Sequence, residues 1–128
     1  MKLINTLFVF SLIGLAIATT SCKKDEGPLG KAQIYGTVTY ENGATGKVDE
    51  APGAIIKIKY GAKESSLDFD QMYVAFSDGS YNIRGLVPGD YYLTAEFIDK
   101  YSFKHTHSGF VVTLNSRRSY VNVDFKLK

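Results

Sequence analysis

Apolar and polar side chains alternate along the chain from position 33 onward. The clearest run is near the C-terminus, where single polar residues separate Val121, Val123, Phe125 and Leu127. A period of two places one side of an extended strand in a core and the other in water. No window of twelve residues after position 30 has a helical stripe. The pattern therefore predicts an all-β fold.

Turn-forming pairs punctuate the alternating runs: Asn42-Gly43, Pro52-Gly53, Asp78-Gly79 and Pro88-Gly89. Alternation and turns together indicate about seven short strands. These predicted strands lie near 33–40, 53–60, 71–77, 80–84, 90–98, 109–114 and 118–127. Short strands at this spacing are typical of an antiparallel β-sandwich or a barrel.

The N-terminal segment has the layout of an export signal. A basic start at Lys2 is followed by an apolar stretch over 3–18 and by three small residues. The apolar stretch is too short and interrupted for a membrane span, which needs about 20 mostly apolar residues. We therefore predict that residues 1–21 form a signal peptide that is removed.

The single cysteine of the chain, Cys22, directly follows this segment. A lone thiol in an exported protein is a free thiol, an intermolecular bridge or an acylation site. Its position resembles the lipobox of bacterial lipoproteins, although Thr19 stands where that family usually has an aliphatic residue. The resemblance implies cleavage before Cys22, a diacylglycerol on its sulfur and a stable membrane anchor.

Four charged residues follow the cysteine: Lys23, Lys24, Asp25 and Glu26. They resemble the lysine-plus-acidic tag of surface lipoproteins of the Bacteroidetes, which implies export to the outer leaflet. The alternative is a charged tether that only keeps the start of the chain solvated beside the headgroups. We predict an acylated cysteine and flexible tether over 22–32, with a short linker at 27–32.

Three sequence motifs resemble the carboxypeptidase regulatory-like, or transthyretin-like, β-sandwich domain. They are "GTVTYENG" at 36–43, "PGAIIKI" at 52–58 and "FSDGSYNIRGLVPGDYYLTAEF" at 76–97. The resemblance covers nearly all of 33–127 and implies that residues 33–128 form one such domain of the transthyretin/prealbumin type. Members of that family are usually noncatalytic: rigid spacers, adhesive or binding domains, or parts fused to enzymes and transporters.

Charge does not favour nucleic acid as a partner. The chain has 15 Lys and Arg against 13 Asp and Glu, a formal net charge of +2. Nucleic-acid-binding domains usually concentrate a much larger positive charge on one face. We therefore expect no nucleic-acid partner.

Two groups of side chains are candidates for metal binding. His105 and His107 would share one face of a strand, but no further ligand is spaced to complete a site, and a solvated loop is the alternative. Asp68 and Asp70 have the spacing of calcium-binding carboxylates without the closing glutamate, so an acidic turn is the alternative. No nucleophile motif is present either. The sequence predicts no catalytic site, no metal and no cofactor.

Aromatic residues are the one compositional excess, with nine Tyr, eight Phe and no Trp. Six rings fall out of phase with the core or in loops: Tyr35, Tyr73, Tyr92, Tyr101, Phe103 and Tyr120. Exposed rings can stack on sugars or anchor a protein partner. The alternative is that tyrosine serves here for its strand propensity alone.

The sequence thus predicts a lipid-anchored, noncatalytic binding or structural module, surface-exposed at the outer membrane, with a glycan or surface-protein partner. The ligand-binding loops would be 41–51, 61–70 and above all 99–108, which contains Tyr101, Phe103, His105 and His107. Alternatives are a passive spacer or an accessory subunit of an outer-membrane complex. A hydrolase or metal-dependent enzyme would need a constellation that the sequence does not display.

Overall fold

The computed structural model describes residues 26–128, which fold into ten β-strands in two sheets and contain no helix. The strands are β1 (Ala32–Glu41), β2 (Val48–Glu50), β3 (Ile55–Tyr60), β4 (Gln71–Val74), β5 (Ser80–Leu86), β6 (Gly89–Ile98), β7 (Lys104–Thr106), β8 (Phe110–Leu114), β9 (Tyr120–Asn122) and β10 (Phe125–Leu127). The predicted all-β class is confirmed.

The first sheet is organised around β1, which has four neighbours. Its first half pairs with antiparallel β5 on one side and with parallel β9 on the other, so that Tyr35 lies between Asn82 and Asn122. Its second half pairs with antiparallel β2 and parallel β10. The long first strand therefore holds together segments from both ends of the domain.

The second sheet is organised around β6 in the same way. β3 pairs with it along one side, from Ile55 opposite Glu96 to Tyr60 opposite Tyr91. Antiparallel β8 and β7 share the other side, and β4 extends the sheet beyond β3. Every pairing in this sheet is antiparallel.

The structure differs from the predicted architecture in two details. The strand number is ten rather than about seven, because β2 and β7 have only three residues and no readable alternation, and because the C-terminal run is divided into β9 and β10. The fold is also not wholly antiparallel, since β9 and β10 run parallel to β1. Sequence periodicity identifies strands but not their partners or directions.

The core between the sheets consists of the side chains on the predicted inward phase. Those exposed by 1% or less include Ile34, Val38, Ile56, Ile58, Leu93, Phe125 and Leu127. Full burial of such a side chain contributes about 1.5–3 kcal/mol. The alternation seen in the sequence is therefore the pattern that closes the two sheets on each other.

The ladder between β1 and the C-terminal run is interrupted at Val123 and Asp124 without a shift of register, and this interruption separates β9 from β10. The Val123 N–H donates to the Tyr35 carbonyl over 2.8 Å, and the Thr37 N–H donates to Asp124 Oδ1 over 2.9 Å. The Val123 carbonyl lies over Gly36, where a Cβ would be 1.9 Å from its oxygen. A carboxylate thus replaces one backbone acceptor of the ladder, and only glycine leaves room for the Val123 carbonyl.

The segment before β1 is hydrogen-bonded to the sandwich. The Gly27 N–H donates to the Tyr91 hydroxyl over 2.9 Å, and the Gly27 carbonyl accepts from the Val87 N–H over 2.9 Å. The Gly30 N–H donates to a carbonyl of β5 over 2.8 Å. Residues 27–32, predicted as a linker, are therefore attached to the fold from Gly27 onward in this structure.

Candidate binding surfaces

The turn between β6 and β7 is built on the side chain of Asp99. This carboxylate is only 8% exposed, and its Oδ1 accepts the N–H groups of Tyr101 over 2.8 Å and Phe103 over 3.0 Å. The Asp99 N–H also donates to the Phe103 carbonyl over 2.9 Å, while Ser102 adopts a φ of 69°. Aspartate favours such turns because its short side chain can satisfy backbone donors two residues on.

His105 secures this turn from below. Its Nε2 lies 2.9 Å from Asp99 Oδ2, and its ring, 7% exposed, packs against the rings of Tyr40 and Phe97. The hydrogen bond with His105, together with the backbone donors, lowers the pKa of Asp99 although burial opposes this. His105 is therefore a buried support of the turn and does not reach the surface.

His107 lies in a different environment. Its Nδ1 accepts the Gly109 N–H over 2.8 Å, and its half-buried ring stacks on Phe110 with centroids 4.6 Å apart and lies edge-on to Phe125 at 5.5 Å. Within residues 26–128, no three His, Cys, Asp or Glu side chains come together as a metal site would require. His105 and His107 therefore pack against different side chains and do not form a common site.

The exposed part of the predicted loop is its tip. Tyr101 is 60% exposed and Phe103 is 67% exposed, and the Lys100 ammonium lies 5.1 Å from the Tyr101 ring centroid. Of the four predicted ligand-binding residues, Tyr101 and Phe103 are exposed, His105 is buried under the turn, and His107 is half-buried against Phe110. The tip can stack on a flat or apolar partner group.

Tyr35 and Tyr120 form a second aromatic surface, on the outer face of the first sheet. Their rings stack with centroids 4.0 Å apart and planes 17° apart. Both rings lie out of phase with the core, as the sequence pattern predicted. The side chains beside them on β5, Asn82 and Arg84, were not singled out from the sequence, although their alternation in the strand places them on this face.

Tyr73 is half-buried and packs against the core, and Tyr92 is the ring whose predicted exposure was most clearly wrong. It points to the outer face of the second sheet, yet it is only 6% exposed. Gly109 lies directly over it, and its hydroxyl donates to the Ser108 carbonyl. Phase within a strand cannot reveal that a distant segment folds over the outer face.

The acidic candidates have local structural partners. Asp70 accepts the Tyr60 N–H over 2.7 Å and pairs with Lys59 at 3.6 Å. Asp78 accepts both the N–H and the hydroxyl of Ser80, and the hydroxyl contact lowers the pKa of Asp78. These carboxylates order turns, as the alternative interpretation of Asp68 and Asp70 stated.

The predicted anchor and most of the predicted export tag, Cys22 through Asp25, lie outside the described residues. Glu26 is the first described residue, and its side chain lies over Gly61 and Gly89. Within residues 26–128, the structure contains no helix with the length and apolarity that crossing a bilayer requires.

No family model matches the chain, and no curated protein matches it. Its fold is similar to that of a Pseudomonas aeruginosa protein proposed to bind carbohydrate, with a TM-score of 0.54 and 12% identity, covering 78% of this chain and 90% of that one. It is also similar to the major pilin subunit of Bacillus cereus, with a TM-score of 0.50 and 13% identity, covering 77% of this chain and 30% of that one.

A group B streptococcus pilus 2b backbone protein matches with a TM-score of 0.48 and 20% identity, covering 76% of this chain and 40% of that one. At these identities the likeness shows the fold alone. The first two structures confirm the predicted β-sandwich, and the lipoprotein context stays a prediction.

Proposed function

We propose that this protein is a noncatalytic binding module, held at the outer surface of the outer membrane by a lipid on Cys22. The apolar segment that ends in small residues before a lone cysteine supports the anchor. The similarity to a protein proposed to bind carbohydrate supports a glycan as the ligand. A surface protein is the other partner class that exposed rings would fit.

The observation that carries the proposal is the presence of exposed aromatic rings on a rigid framework. The turn that presents Tyr101 and Phe103 is secured by a buried carboxylate and a buried histidine. Exposing apolar rings in water has no benefit for stability, and securing the backbone beneath them lowers the entropy lost on binding. Such an arrangement suits recognition of a partner.

The polar candidates support a noncatalytic role because they are engaged in holding loops. Asp99 and His105 bind each other beneath the turn, and the Asp78 carboxylate binds Ser80. A general base or nucleophile needs a free position facing a substrate, which these pairs do not have.

The test of the anchor compares the native chain with Cys22→Ala in intact cells. We expect external protease to remove the native protein, and mass analysis to find a mature chain that starts at an acylated Cys22. The Cys22→Ala protein should be unacylated and lost from the membrane fraction. An unacylated, soluble native protein would overturn the anchor.

The leaflet is tested by changing the charged segment after the cysteine. Replacement of Lys23, Lys24 and Asp25 by alanine should retain the lipid but protect the protein from external protease. Glu26 is left in place because its side chain lies over Gly61. Continued shaving of this variant would show that the segment is only a charged tether.

A spacer or accessory subunit is the second candidate function. The similarity to a major pilin subunit favours it, because that fold serves there as part of an assembly. Capture of glycan by the native protein, lost when Tyr101 or other exposed rings are replaced, would decide for the binding module. Co-purification with an outer-membrane complex without any ligand would decide for the accessory subunit.

A further inference from the structure

The outer face of the first sheet carries a groove that none of the predicted loops accounts for. Its volume is about 630 Å³, and outward-facing side chains of three paired strands line it. Tyr35 and Thr37 come from β1, Asn82 from β5 and Asn122 from β9. Because paired strands form its floor, this surface is more rigid than a loop tip.

The stacked rings of Tyr35 and Tyr120 lie along the groove, and we call this pair the aromatic plate. Tyr120 remains 60% exposed although it stacks on Tyr35, so one side of the plate is open to water. The parallel pairing of β1 with β9, in which Gln33 lies opposite Tyr120, keeps the two rings adjacent. The apolar face of a sugar ring can stack on such a plate, and tyrosine offers this area at low cost in side-chain entropy.

Two polar groups of β5 lie in the groove without a partner among the described residues. Asn82 Oδ1 is buried and accepts no hydrogen bond there, and the exposed Arg84 forms no ion pair. The two residues are two positions apart on one strand, so they share a face. A hydroxyl can donate to the amide oxygen, and a guanidinium binds a carboxylate through two parallel N–H groups.

A basic cluster lies at the turn that precedes the aromatic plate in the chain. Lys31, Arg117 and Arg118 line a second depression of about 630 Å³. The turn that contains both arginines ends at Ser119, whose carbonyl accepts the Gln33 N–H over 2.8 Å, and the next residue belongs to the plate. None of the three cations pairs with a carboxylate in the described part of the chain.

The lysines on the strands of the opposite sheet are paired with carboxylates, unlike the cations of this region. There, Lys57 and Lys104 pair with Glu96 at 3.4 and 3.2 Å, and Lys59 pairs with Asp70 at 3.6 Å. The four cations on or beside this face that are unpaired among the described residues outnumber the two carboxylates, Asp124 and Asp78, that hydrogen-bond to groove-lining Thr37 and Ser80, so the local field is positive. This field is complementary to an anionic ligand.

We propose that this face binds an acidic polysaccharide, with a sugar ring on the plate of Tyr35 and Tyr120 and a uronic acid carboxylate on Arg84. Lys31 and the two arginines of the turn attract the next carboxylates of the polymer. This inference rests on the proposed function and names its ligand as an acidic polysaccharide. Hydroxyl-rich sugars fit the threonine and amide groups of the groove better than lipid chains do.

The test measures binding of the protein, purified from cells that express the full chain, to four uronic acid polymers: polygalacturonate, alginate, hyaluronate and heparin. We expect at least one to bind and the affinity to fall as salt is raised. Methyl-esterified polygalacturonate has the same backbone without the charge, and it should bind more weakly than polygalacturonate if that polymer is the ligand.

Two variants assign the site, each with a matched control. Tyr120→Ala should weaken binding roughly tenfold, a loss that corresponds to about 1.4 kcal/mol. Met72→Ala removes an equally exposed apolar side chain from β4 of the opposite sheet and should leave binding unchanged, while Phe103→Ala tests the loop tip separately. Arg84→Gln should weaken binding by a similar factor, while Lys126→Gln removes one exposed charge outside the groove. Urea unfolding of each variant shows whether it is folded.

The outcomes separate this inference from the proposed function. If a polymer binds but only Phe103→Ala abolishes binding, the proposed function stands on the loop and the groove site is refuted. If none of the four polymers binds, or if the protein binds phosphatidylglycerol vesicles with the same dependence on Tyr120 and Arg84, the polysaccharide site is refuted. Protease treatment of intact cells would then still test independently whether the protein is a lipid-anchored surface module.

Discussion

Gly36→Ala should destabilise the domain severely, because the Val123 carbonyl that lies over Gly36 leaves no room for a methyl group. The added Cβ would lie 1.9 Å from the Val123 oxygen, 2.6 Å from its carbonyl carbon and 2.9 Å from Asp124 Oδ1. Real Cβ contacts essentially never fall below 3.0 Å, so the two backbones must separate by more than 1 Å. Gly36 does not have a positive φ, so the cost is one of space and not of backbone conformation.

The magnitude follows from what that separation breaks. The hydrogen bonds from Val123 N–H to Tyr35 and from Thr37 N–H to Asp124 would be lost, at about 1 kcal/mol each. Displacement of packed strands costs a further ~1–3 kcal/mol. Alanine also reduces the entropy of the unfolded chain, which recovers only about 0.4–1 kcal/mol. We expect a net loss of about 3 kcal/mol in the free energy of unfolding.

Urea unfolding measures this loss, with Gly43→Ala as the matched control. Gly43 has no atom within 4 Å of the added Cβ and no positive φ, so its variant should lie within about 0.5 kcal/mol of the native protein. With a denaturant slope near ~1.5 kcal/mol/M, Gly36→Ala should lower the urea midpoint by about 2 M. Equal midpoints for the two variants would refute the steric explanation of the requirement for glycine at position 36.

Three further predictions concern the turn, the core and the N-terminal segment. The hydrogen bond with His105 lowers the pKa of Asp99 below its ordinary value of 3.8. The carboxylate therefore stabilises the fold above that pH and loses this contribution as the pH falls through the lowered pKa. The difference in stability between the native protein and Asp99→Asn should shrink over that pH range, and a constant difference would contradict this. Leu93→Ala, at a fully buried position of β6, should cost about 3 kcal/mol in urea unfolding, and a loss below ~1 kcal/mol would place this side chain outside the core. Tyr91→Phe removes the acceptor of the Gly27 N–H and should cost about 2 kcal/mol; unchanged hydrogen exchange at Gly27 would show that this bond does not hold the segment.

The candidate surfaces were only partly predictable. Strand phase located Tyr35 and Tyr120 on an outer face, and loop composition located the exposed tip at Tyr101. Tyr92 was misjudged because the segment that covers it is distant in sequence. The role of His105 was equally hidden, since its partner Asp99 becomes visible only once the turn is closed.

The sequence by itself determined the all-β class, the inward side of the main strands and the positions of the main turns. These properties depend on the period of hydrophobicity and on residues with special backbone preferences, which act over a few neighbours. Tertiary structure alone decided the parallel pairing of β9 and β10 with β1, the close approach of the Val123 carbonyl to Gly36 and the stacking of Tyr35 on Tyr120. Each of these joins residues far apart in the chain, and their contact is decided by how the two sheets pack as a whole.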